Sequence, residues 1–327
     1  MSPTSPTTPL HPTNPPTISV VVCTKGRPVS LSRCVRSVLQ QGLLPIEVIV
    51  VDDGCLAPVV TDDLKARCER ASVDWRYLTK TVPGLPRSRN LAVRHAAGDI
   101  IQFFDDDITI QPGFLLSIQS LYAADTGHVV AGADAHLLDP SPPTRGEKLY
   151  RLGYRTAGWW AIHPRHTRRP PQHGPIASFP GVRPVWNVVG ATLSARRSVL
   201  IEIPFDEALG GYALGEDRDW SYRAGRNYWI LRNHNARAVH RHEPTARPDP
   251  RQFGWMTVRN YLHIIRKSCE PGIGRSIVIG WTFTILVALQ VLYCIVGNTR
   301  QHSLELAGML QAFWGFLSWR KNRASYS

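Results

Sequence analysis

From residue 17 onward, short apolar runs alternate with amphipathic stretches. The runs are rich in β-branched side chains, which is typical of strands buried on both faces. We predict strands at 17–24, 46–53, 74–80 and 99–104. Between them apolar side chains recur at helical spacing, which predicts helices over 29–41, 63–71 and 86–96. This β-α-β-α order predicts an α/β fold with a mostly parallel, doubly wound sheet and right-handed crossovers.

The pattern changes in the second half. Residues 139–184 are rich in Pro, Arg, His and aromatic side chains and have no period, so we expect a long functional loop there. Regular structure resumes at 188–200. Further on we predict a helix at 215–225, two short strands at 228–231 and 237–241, and an amphipathic helix at 253–268.

Two apolar segments end the sequence. Residues 276–297 carry no charge, and as a helix they reach about 33 Å, enough for a bilayer core of about 30 Å. We expect a transmembrane helix there, the alternative being a buried core helix. The segment 303–319 contains Glu305, so it either returns across the membrane or lies on its surface. Basic flanking residues favour a hairpin with both ends in the cytosol.

These patterns divide the chain into four parts. Residues 1–16 are proline-rich and predict a disordered tail. The main domain is expected over 17–270, and the helices over 276–297 and 303–319 follow it. The sequence starts without the pattern of a secretory leader, and its six cysteines form no C-x-x-C pair. We therefore expect reduced cysteines in a cytosolic domain, and no structural zinc site.

The chain is strongly basic. It has 327 residues and a formal net charge of +13, with an ordinary apolar fraction of 43%. Such an excess of positive charge suggests an anionic partner, which would be a nucleotide, a nucleic acid or a membrane surface.

Polar motifs follow three of the predicted strands. They comprise Thr24 to Pro28, Asp52-Asp53-Gly54, and the triplet Asp105-Asp106-Asp107. Ligands bind at the carboxyl ends of strands in open α/β sheets, so one crevice can collect all three motifs, although an Asp-Gly pair is often only a turn. The first turn has neither a G-x-G-x-x-G nor a P-loop pattern. A carboxylate cluster can instead hold a hard divalent cation together with a substrate diphosphate.

The sequence resembles the family 2 glycosyltransferases, which have the A-type nucleotide-sugar transferase fold. The resemblance covers about residues 17–265. It rests on five motifs in the family's order: ISVVVCTKGRP, VIVVDDG, GLPRSRNLAV, GDIIQFFDDD and GEDRDWSYR.

The resemblance implies roles for the residues of the donor site. Asp53 would read the nucleotide base, with Asp52 as the alternative. Asp107 would bind a divalent cation, Mn²⁺ or Mg²⁺, while Asp105 would face the ribose or a water on that cation. The other residues implied at the nucleotide sugar are Thr24, Arg27, Arg87, Arg89 and Asp106.

The resemblance also implies a catalytic pair. Asp217 would be the base that takes the proton of the acceptor hydroxyl, and Glu216 would orient the sugar or the acceptor. Without the resemblance, two acids at the start of a helix are equally well explained as capping residues.

Two further groups have roles by resemblance. His240 would be a third metal ligand or a diphosphate contact, the alternative being a solvated basic strand end that it shares with His242. The acceptor side would include Trp186, Asn187 and Gly190, for which a buried strand is the alternative.

We therefore expect a metal-dependent, inverting glycosyltransferase that moves one sugar from a nucleotide-diphosphate sugar to a glycan or lipid-linked acceptor. It would work at the cytosolic face of the inner membrane, in polysaccharide or glycolipid biosynthesis, without a nucleic-acid partner. The Gln-x-x-Arg-Trp motif of processive members is incomplete in RQFGW (251–255), which favours single-sugar transfer. The alternatives are a sugar-phosphate nucleotidyltransferase and a non-catalytic, basic, membrane-tethered module.

Overall fold

The structure is a computed structural model, and it describes residues 14–54, 56–138, 179–210, 212–243, 248–296 and 299–324. Most of the expected tail (1–16) and most of the expected loop (139–184) lie outside the described residues.

Nine strands are described, and the first four match the apolar runs of the sequence. Their bounds are β1 Ile18–Thr24, β2 Glu47–Asp52, β3 Asp74–Thr79, β4 Ile100–Asp105, β5 Ile108–Ile110, β6 Val130–Leu138, β7 Val182–Pro184, β8 Ser194–Arg196 and β9 Trp229–His240.

The helices that the structure describes include all five predicted for the main domain, at 29–41, 63–71, 86–96, 215–225 and 253–268, with each end within five residues of the prediction. Their bounds are α1 Pro28–Leu39, α2 Pro58–Arg70, α3 Leu85–His95, α4 Phe114–Ala124, α5 Arg197–Glu202, α6 Glu216–Ala224, α7 Pro250–Ser268, α8 Ile273–Val296 and α9 Thr299–Ala324. Pro58 stands in the first turn of α2, which therefore starts before the predicted residue 63.

The strands form one sheet in the order β3-β2-β1-β4-β8-β6-β9-β5, and β7 also pairs with β9. The pairs β1–β2, β1–β4 and β2–β3 are parallel. The other half is mixed: β8 runs antiparallel to both β4 and β6, whereas β6 and β9 are parallel. Helices α1, α2 and α4 cover one face with an apolar core, and α3, α5 and α6 cover the other. The predicted doubly wound α/β class is therefore confirmed.

Strand β9 differs from the prediction of two short strands at 228–231 and 237–241. It is one strand of twelve residues with a register shift opposite Ala135 and His136. The polar stretch that suggested a break contains Asn233, which is fully buried. Its amide donates to Ser117, and its side-chain oxygen accepts from the backbone of Asn235. A buried side chain thus supplies the hydrogen bonds that the bulge removes from the ladder.

Helices α7, α8 and α9 share a third apolar cluster with the loop before α6. Helices α7 and α9 cross with their backbones in contact. A Cβ added at Gly308 would overlap the carbonyl oxygen of Arg251 and lie 2.8 Å from the backbone nitrogen of Trp255. One added at Gly254 would overlap the carbonyl oxygen of Glu305. The glycines therefore permit a crossing that no other residue allows at this distance.

Candidate active site

A cavity of about 880 Å³ opens at the carboxyl ends of β1, β2 and β4. The parallel register places Thr24 beside Asp52, and Cys23 beside Asp105, so the polar motifs that follow these strands meet at one edge. The predicted site residues that line this cavity are Thr24, Arg27, Asp53, Arg89, Asp105, Asp106, Asp107, Gly190, Glu216, Asp217 and His240.

The aspartate triplet splits into two environments. Asp106 is buried and accepts hydrogen bonds from the hydroxyl of Thr24 at 2.7 Å and from the guanidinium of Arg27 at 3.0 Å. Burial raises the pKa of the Asp106 carboxyl, although these two partners oppose the rise. Thr24 and Arg27 thus reach the cavity already bound to Asp106, and the middle aspartate serves to hold the end of β1.

Asp105 and Asp107 form the other environment, together with His240. One carboxylate oxygen of each and one imidazole nitrogen lie within 4.8 Å of one another. His240 is the last residue of β9 and pairs in the antiparallel register with Ile108, which brings its ring to Asp107. The Oδ1 atom of Asp107 lies 3.1 Å from Nε2 of His240.

The donor set of this cluster fits a divalent cation. Oδ1 of Asp107 is buried, and no well-aligned hydrogen bond reaches it from the residues that the structure describes. Burial opposes ionisation of Asp107, but the nearby His240, the backbone N–H of Glu243 and the charge of Arg27 outweigh it and hold the pKa of the carboxyl below its usual range. An ionised carboxylate with a buried, unsatisfied oxygen beside an imidazole is a set of ligands that Mn²⁺ accepts.

Asp53 and Asp52 have different surroundings. Asp53 lines the cavity, pairs with Lys80 and accepts a hydrogen bond of 2.8 Å from the backbone of Gly84. Asp52 is buried away from the cavity, where it accepts from the backbones of Gly54 and Leu56 and from the hydroxyl of Tyr77. The structure therefore removes Asp52, the alternative base-reading residue, from the site: it closes the turn after β2.

The acidic pair begins α6, and Arg89 holds its first member. The guanidinium donates to Glu216 at 2.8 Å and to the carbonyl oxygen of Gly190 at 3.0 Å, and lies 3.8 Å from Asp105. The Arg89 side chain is only 2% exposed. Burial and then the neighbouring Asp217 raise the pKa of the Glu216 carboxyl, and Arg89 only partly offsets this.

Asp217 is held by backbone rather than by a cation. Its Oδ2 accepts from the backbone N–H of Gly190 at 2.9 Å, and its Oδ1 accepts from that of Arg218 at 2.7 Å. A Cβ at Gly190 would lie 2.8 Å from Glu216 and 2.9 Å from Arg89, so this glycine is required for the close approach. The geometry offers a fixed, ionisable carboxylate at the cavity wall beside the buried Arg89–Glu216 pair.

Four predicted site residues do not reach the cavity. Besides Asp52 these are Arg87, Trp186 and Asn187. Arg87 pairs with Glu207 at 3.5 Å on the surface of α3. Trp186 is 53% exposed and Asn187 donates to the carbonyl oxygen of Val188, so both precede the point where the chain enters the cavity at Val189.

The sequence reasoning missed one wall of the cavity. The face of α7 that lines it carries Gln252, Trp255, Met256 and Arg259. These positions have the three- and four-residue spacing of a helix face, and 253–268 was predicted to be an amphipathic helix. The spacing was thus visible, but nothing in the sequence indicates that this face meets the catalytic pair.

The chain has clear relatives. Residues 19–183 match the model of the family described as glycosyl transferase family 2. The pre-mycofactocin glycosyltransferase of Mycobacterium tuberculosis (strain CDC 1551 / Oshkosh) is 30% identical over 145 residues, which are 43% of this chain and 29% of the relative. The glucosyl-dolichyl phosphate glucuronosyltransferase of Haloferax volcanii is 28% identical over 124 residues, 35% of this chain and 37% of the relative. The matches thus span about a third of these curated relatives.

A solved structure shows the same fold. The mannosyltransferase PcManGT from Pyrobaculum calidifontis, in complex with GDP-Man and Mn²⁺, superposes with a TM-score of 0.57 at 14% identity. The superposition covers 93% of this chain and 89% of that one. The likeness confirms the A-type transferase fold that the sequence motifs predicted.

Proposed function

The chain belongs to glycosyl transferase family 2, and we propose that it transfers one sugar from a nucleotide-diphosphate sugar to a hydroxyl group of a glycan or lipid-linked acceptor. The observation that carries this proposal is that one cavity holds both the Asp105–Asp107–His240 cluster and the Glu216–Asp217 pair. The first suits a diphosphate and its cation, and the second suits activation of a hydroxyl. Neither a nucleotidyltransferase nor a non-catalytic module requires a carboxylate pair that activates a hydroxyl.

The donor end would be formed by the cluster and by Asp53. Asp105, Asp107 and His240 would hold Mn²⁺ or Mg²⁺, and PcManGT, which has the same fold, contains Mn²⁺ and GDP-Man. A cation bound there neutralises charge on the departing nucleoside diphosphate. Asp53 lines the same cavity and can accept a hydrogen bond from a ring N–H of the nucleotide base when the Lys80 side chain moves away from the carboxylate.

The acceptor end would use the acidic pair. Asp217 takes the proton of the acceptor hydroxyl as this oxygen attacks the anomeric carbon, and the donor bond breaks on the opposite side with inversion. Glu216, fixed by Arg89, orients the sugar or the acceptor. Two backbone N–H groups fix the carboxylate of Asp217 at the cavity wall, where an acceptor hydroxyl can approach it.

Helix α8 supports a membrane location. Within the described residues it alone is long and apolar enough to cross a bilayer, and only 28% of its apolar window is buried. Ile273, Ile277 and Ile295 are 64–81% exposed, which is unfavourable in water but not in lipid. We therefore place the enzyme at the cytosolic face of the inner membrane, in polysaccharide or glycolipid biosynthesis. The name of the Haloferax relative includes a lipid phosphate, which agrees with this location.

The contacts of α9 favour the surface alternative for 303–319. This helix packs along α7 through the two glycines and carries Glu305, which accepts from Gln290 of α8 at 2.8 Å. A helix whose backbone touches α7 is better explained by a position at the membrane surface, together with the part of α8 that it contacts, than by a second span.

The test is a donor screen with the full-length protein in detergent. Nucleotide sugars are added with Mn²⁺ or Mg²⁺, and thermal shift and release of nucleoside diphosphate are measured. We expect one donor to stabilise the protein and to be hydrolysed or transferred only when the cation is present. Undiminished turnover in excess chelator would exclude the metal role, and no response to any nucleotide sugar would exclude the transferase itself.

A further inference from the structure

Arginines of the cavity differ in whether a carboxylate neutralises them. Arg27 pairs with Asp106, and Arg89 pairs with Glu216. Arg259 lines the same cavity from α7, yet no carboxylate pairs with it in the part of the chain that the structure describes. Its charge is therefore available to an anion that enters the cavity.

Arg259 is nevertheless held in place. Its guanidinium lies over the ring of Trp255, 5.3 Å from the centroid, and one of its nitrogens donates to the carbonyl oxygen of Ala208 at 3.2 Å. Among the described residues only that nitrogen, Nη1, has protein acceptors, the carbonyl oxygen of Ala208 and the side-chain oxygen of Asn260, and the other N–H groups of the guanidinium have none. A stacked, oriented guanidinium with free donors is suited to a phosphate group.

The position of Arg259 assigns it to the acceptor end. Ala208 belongs to the loop that leads into α6, and the neighbouring Asn260 donates to the carbonyl oxygen of Leu214, two residues before Glu216. The other cavity cation without a carboxylate partner among the described residues, Lys25, follows β1 and lies beside Gly54 at the donor end. The two ends thus each have one available cation.

The wall around Arg259 is apolar and aromatic. Trp255 is 38% exposed and Tyr212 is 44% exposed, and Leu214 and Met256 lie with them along the cavity. On its other side α7 crosses α9 at Gly254, and α8, the candidate membrane helix, follows directly. A ligand with a phosphate group and an apolar chain fits this wall, because the phosphate can pair with Arg259 while the chain contacts the apolar and aromatic side chains.

We infer that Arg259 and Trp255 form an acceptor subsite for a phosphate group, and that this phosphate belongs to a lipid-linked acceptor. The inference rests on the proposed function and specifies its acceptor. Trp255 and Tyr212 contact the first apolar groups of the lipid, Arg259 binds the phosphate, and the acceptor hydroxyl lies toward Asp217.

The experiment compares ligands that differ by the phosphate or by the chain. Full-length protein in a neutral detergent is mixed with Mn²⁺ and excess nucleoside diphosphate so that the donor end is filled. Geranyl phosphate, geraniol and glucose 1-phosphate are then titrated calorimetrically. We expect geranyl phosphate to bind about tenfold more tightly than geraniol, as charge-assisted hydrogen bonds provide. Arg259→Gln removes this preference, and Arg259→Lys retains part of it.

Arg251→Gln is the matched control. Arg251 is an exposed arginine of the same helix that lies outside the cavity and donates to Gln311, so the preference stays as in the wild type. Equal binding of geranyl phosphate and geraniol, or a preference that survives in a folded Arg259→Gln variant, overturns the subsite. Glucose 1-phosphate binding as tightly as geranyl phosphate overturns the lipid part. If Mn²⁺-dependent donor binding persists in these cases, the proposed function stands and only this inference fails.

Discussion

Two arginines of α3 offer a direct test of how the catalytic pair is held. Arg87 and Arg89 come from the same motif, and the resemblance implies the same role for both. In the structure the Arg89 side chain is 2% exposed and lies 2.8 Å from Glu216, whereas that of Arg87 is 42% exposed and lies 3.5 Å from Glu207. We compare Arg89→Met with Arg87→Met, which is the same substitution two residues apart.

The expected difference in stability follows from burial. Above the raised pKa of Glu216, where both partners are charged, removing one partner of a buried ion pair costs about 3–5 kcal/mol, because the other charge stays buried without compensation. An exposed pair contributes less than about 1 kcal/mol. At about 2–4 °C per kcal/mol for a domain of this size, Arg89→Met lowers the unfolding midpoint by about 10 °C, and Arg87→Met by less than about 3 °C.

The loss also depends on pH, with a definite sign. Burial and Asp217 raise the pKa of Glu216, while Arg89 lowers it, so the pKa rises further when Arg89 is removed. The folded state then holds the proton more tightly than the unfolded chain does. The stability linked to this proton is complete below the ordinary glutamate pKa of about 4.3 and is lost as the pH rises through the folded pKa. Because burial and Asp217 already raise the pKa of Glu216 to about 8 in the wild type, the destabilisation by Arg89→Met is small below about pH 8 and grows as the pH rises above it.

The assay is thermal unfolding of the metal-free protein in detergent, followed by circular dichroism over this pH range. A double variant, Arg89→Met with Glu216→Gln, provides the internal control, since it leaves no charge buried and should recover part of the lost stability. Equal destabilisation by Arg87→Met and Arg89→Met would refute the reasoning. So would a pH-independent difference, or a double variant no more stable than the single one.

Three further predictions concern turnover, metal and packing. Asp217→Asn should keep nucleotide binding and lower kcat about 10²–10⁴-fold, as expected for a lost general base; a near-normal rate would reassign the base. Asp107→Asn should raise the Mn²⁺ concentration for half-maximal turnover about tenfold or more, whereas an unchanged titration would place the cation elsewhere. Gly308→Ala should lower the unfolding midpoint, because a Cβ there meets the α7 backbone at a cost of about 1–3 kcal/mol, more than the helix gains. Gly315→Ala, on the same helix, adds a Cβ that meets no atom of the described residues within 4 Å, and it should raise the midpoint through a helix propensity gain of up to about 1 kcal/mol; a rise in both would show that α7 and α9 do not touch.

The first half of the sheet was predictable because the sequence of each strand is enough to identify it. β1, β2 and β4 are buried along nearly their whole length, and such strands read as continuous apolar runs whatever their neighbours are. β9 was mispredicted because its polar centre is satisfied by a side chain from α4, and a contact between residues 116 positions apart leaves no local pattern. The mixed half of the sheet depends on such contacts throughout.

The site was predictable as a set of residues but less well as a set of roles. Motif order identified the strand ends and the start of α6, and the cavity contains most of them. Asp52 and Asp53 show what was lacking. Asp52 ends β2 and Asp53 follows it. Whether each aspartate closes a turn or faces a ligand is decided by the backbone N–H groups within its reach, which for Asp52 are those of Gly54 and Leu56. These contacts depend on the tertiary structure, and the motif alone does not indicate them.

The aspartate triplet shows how local geometry and tertiary contacts share the decision. β4 ends at Asp105, and Asp106 and Asp107 form the turn that leads into β5, so the turn brings the three carboxylates together but does not decide the side that each one takes. Which side becomes the ligand side is decided by β1 and β9. Thr24 and Arg27 neutralise Asp106, and His240 reaches Asp107. Asp106 is thus compensated by direct hydrogen bonds, whereas Asp105 and Asp107 have their nearest arginines at 3.8 and 3.9 Å and line the cavity, where a cation and a diphosphate would meet.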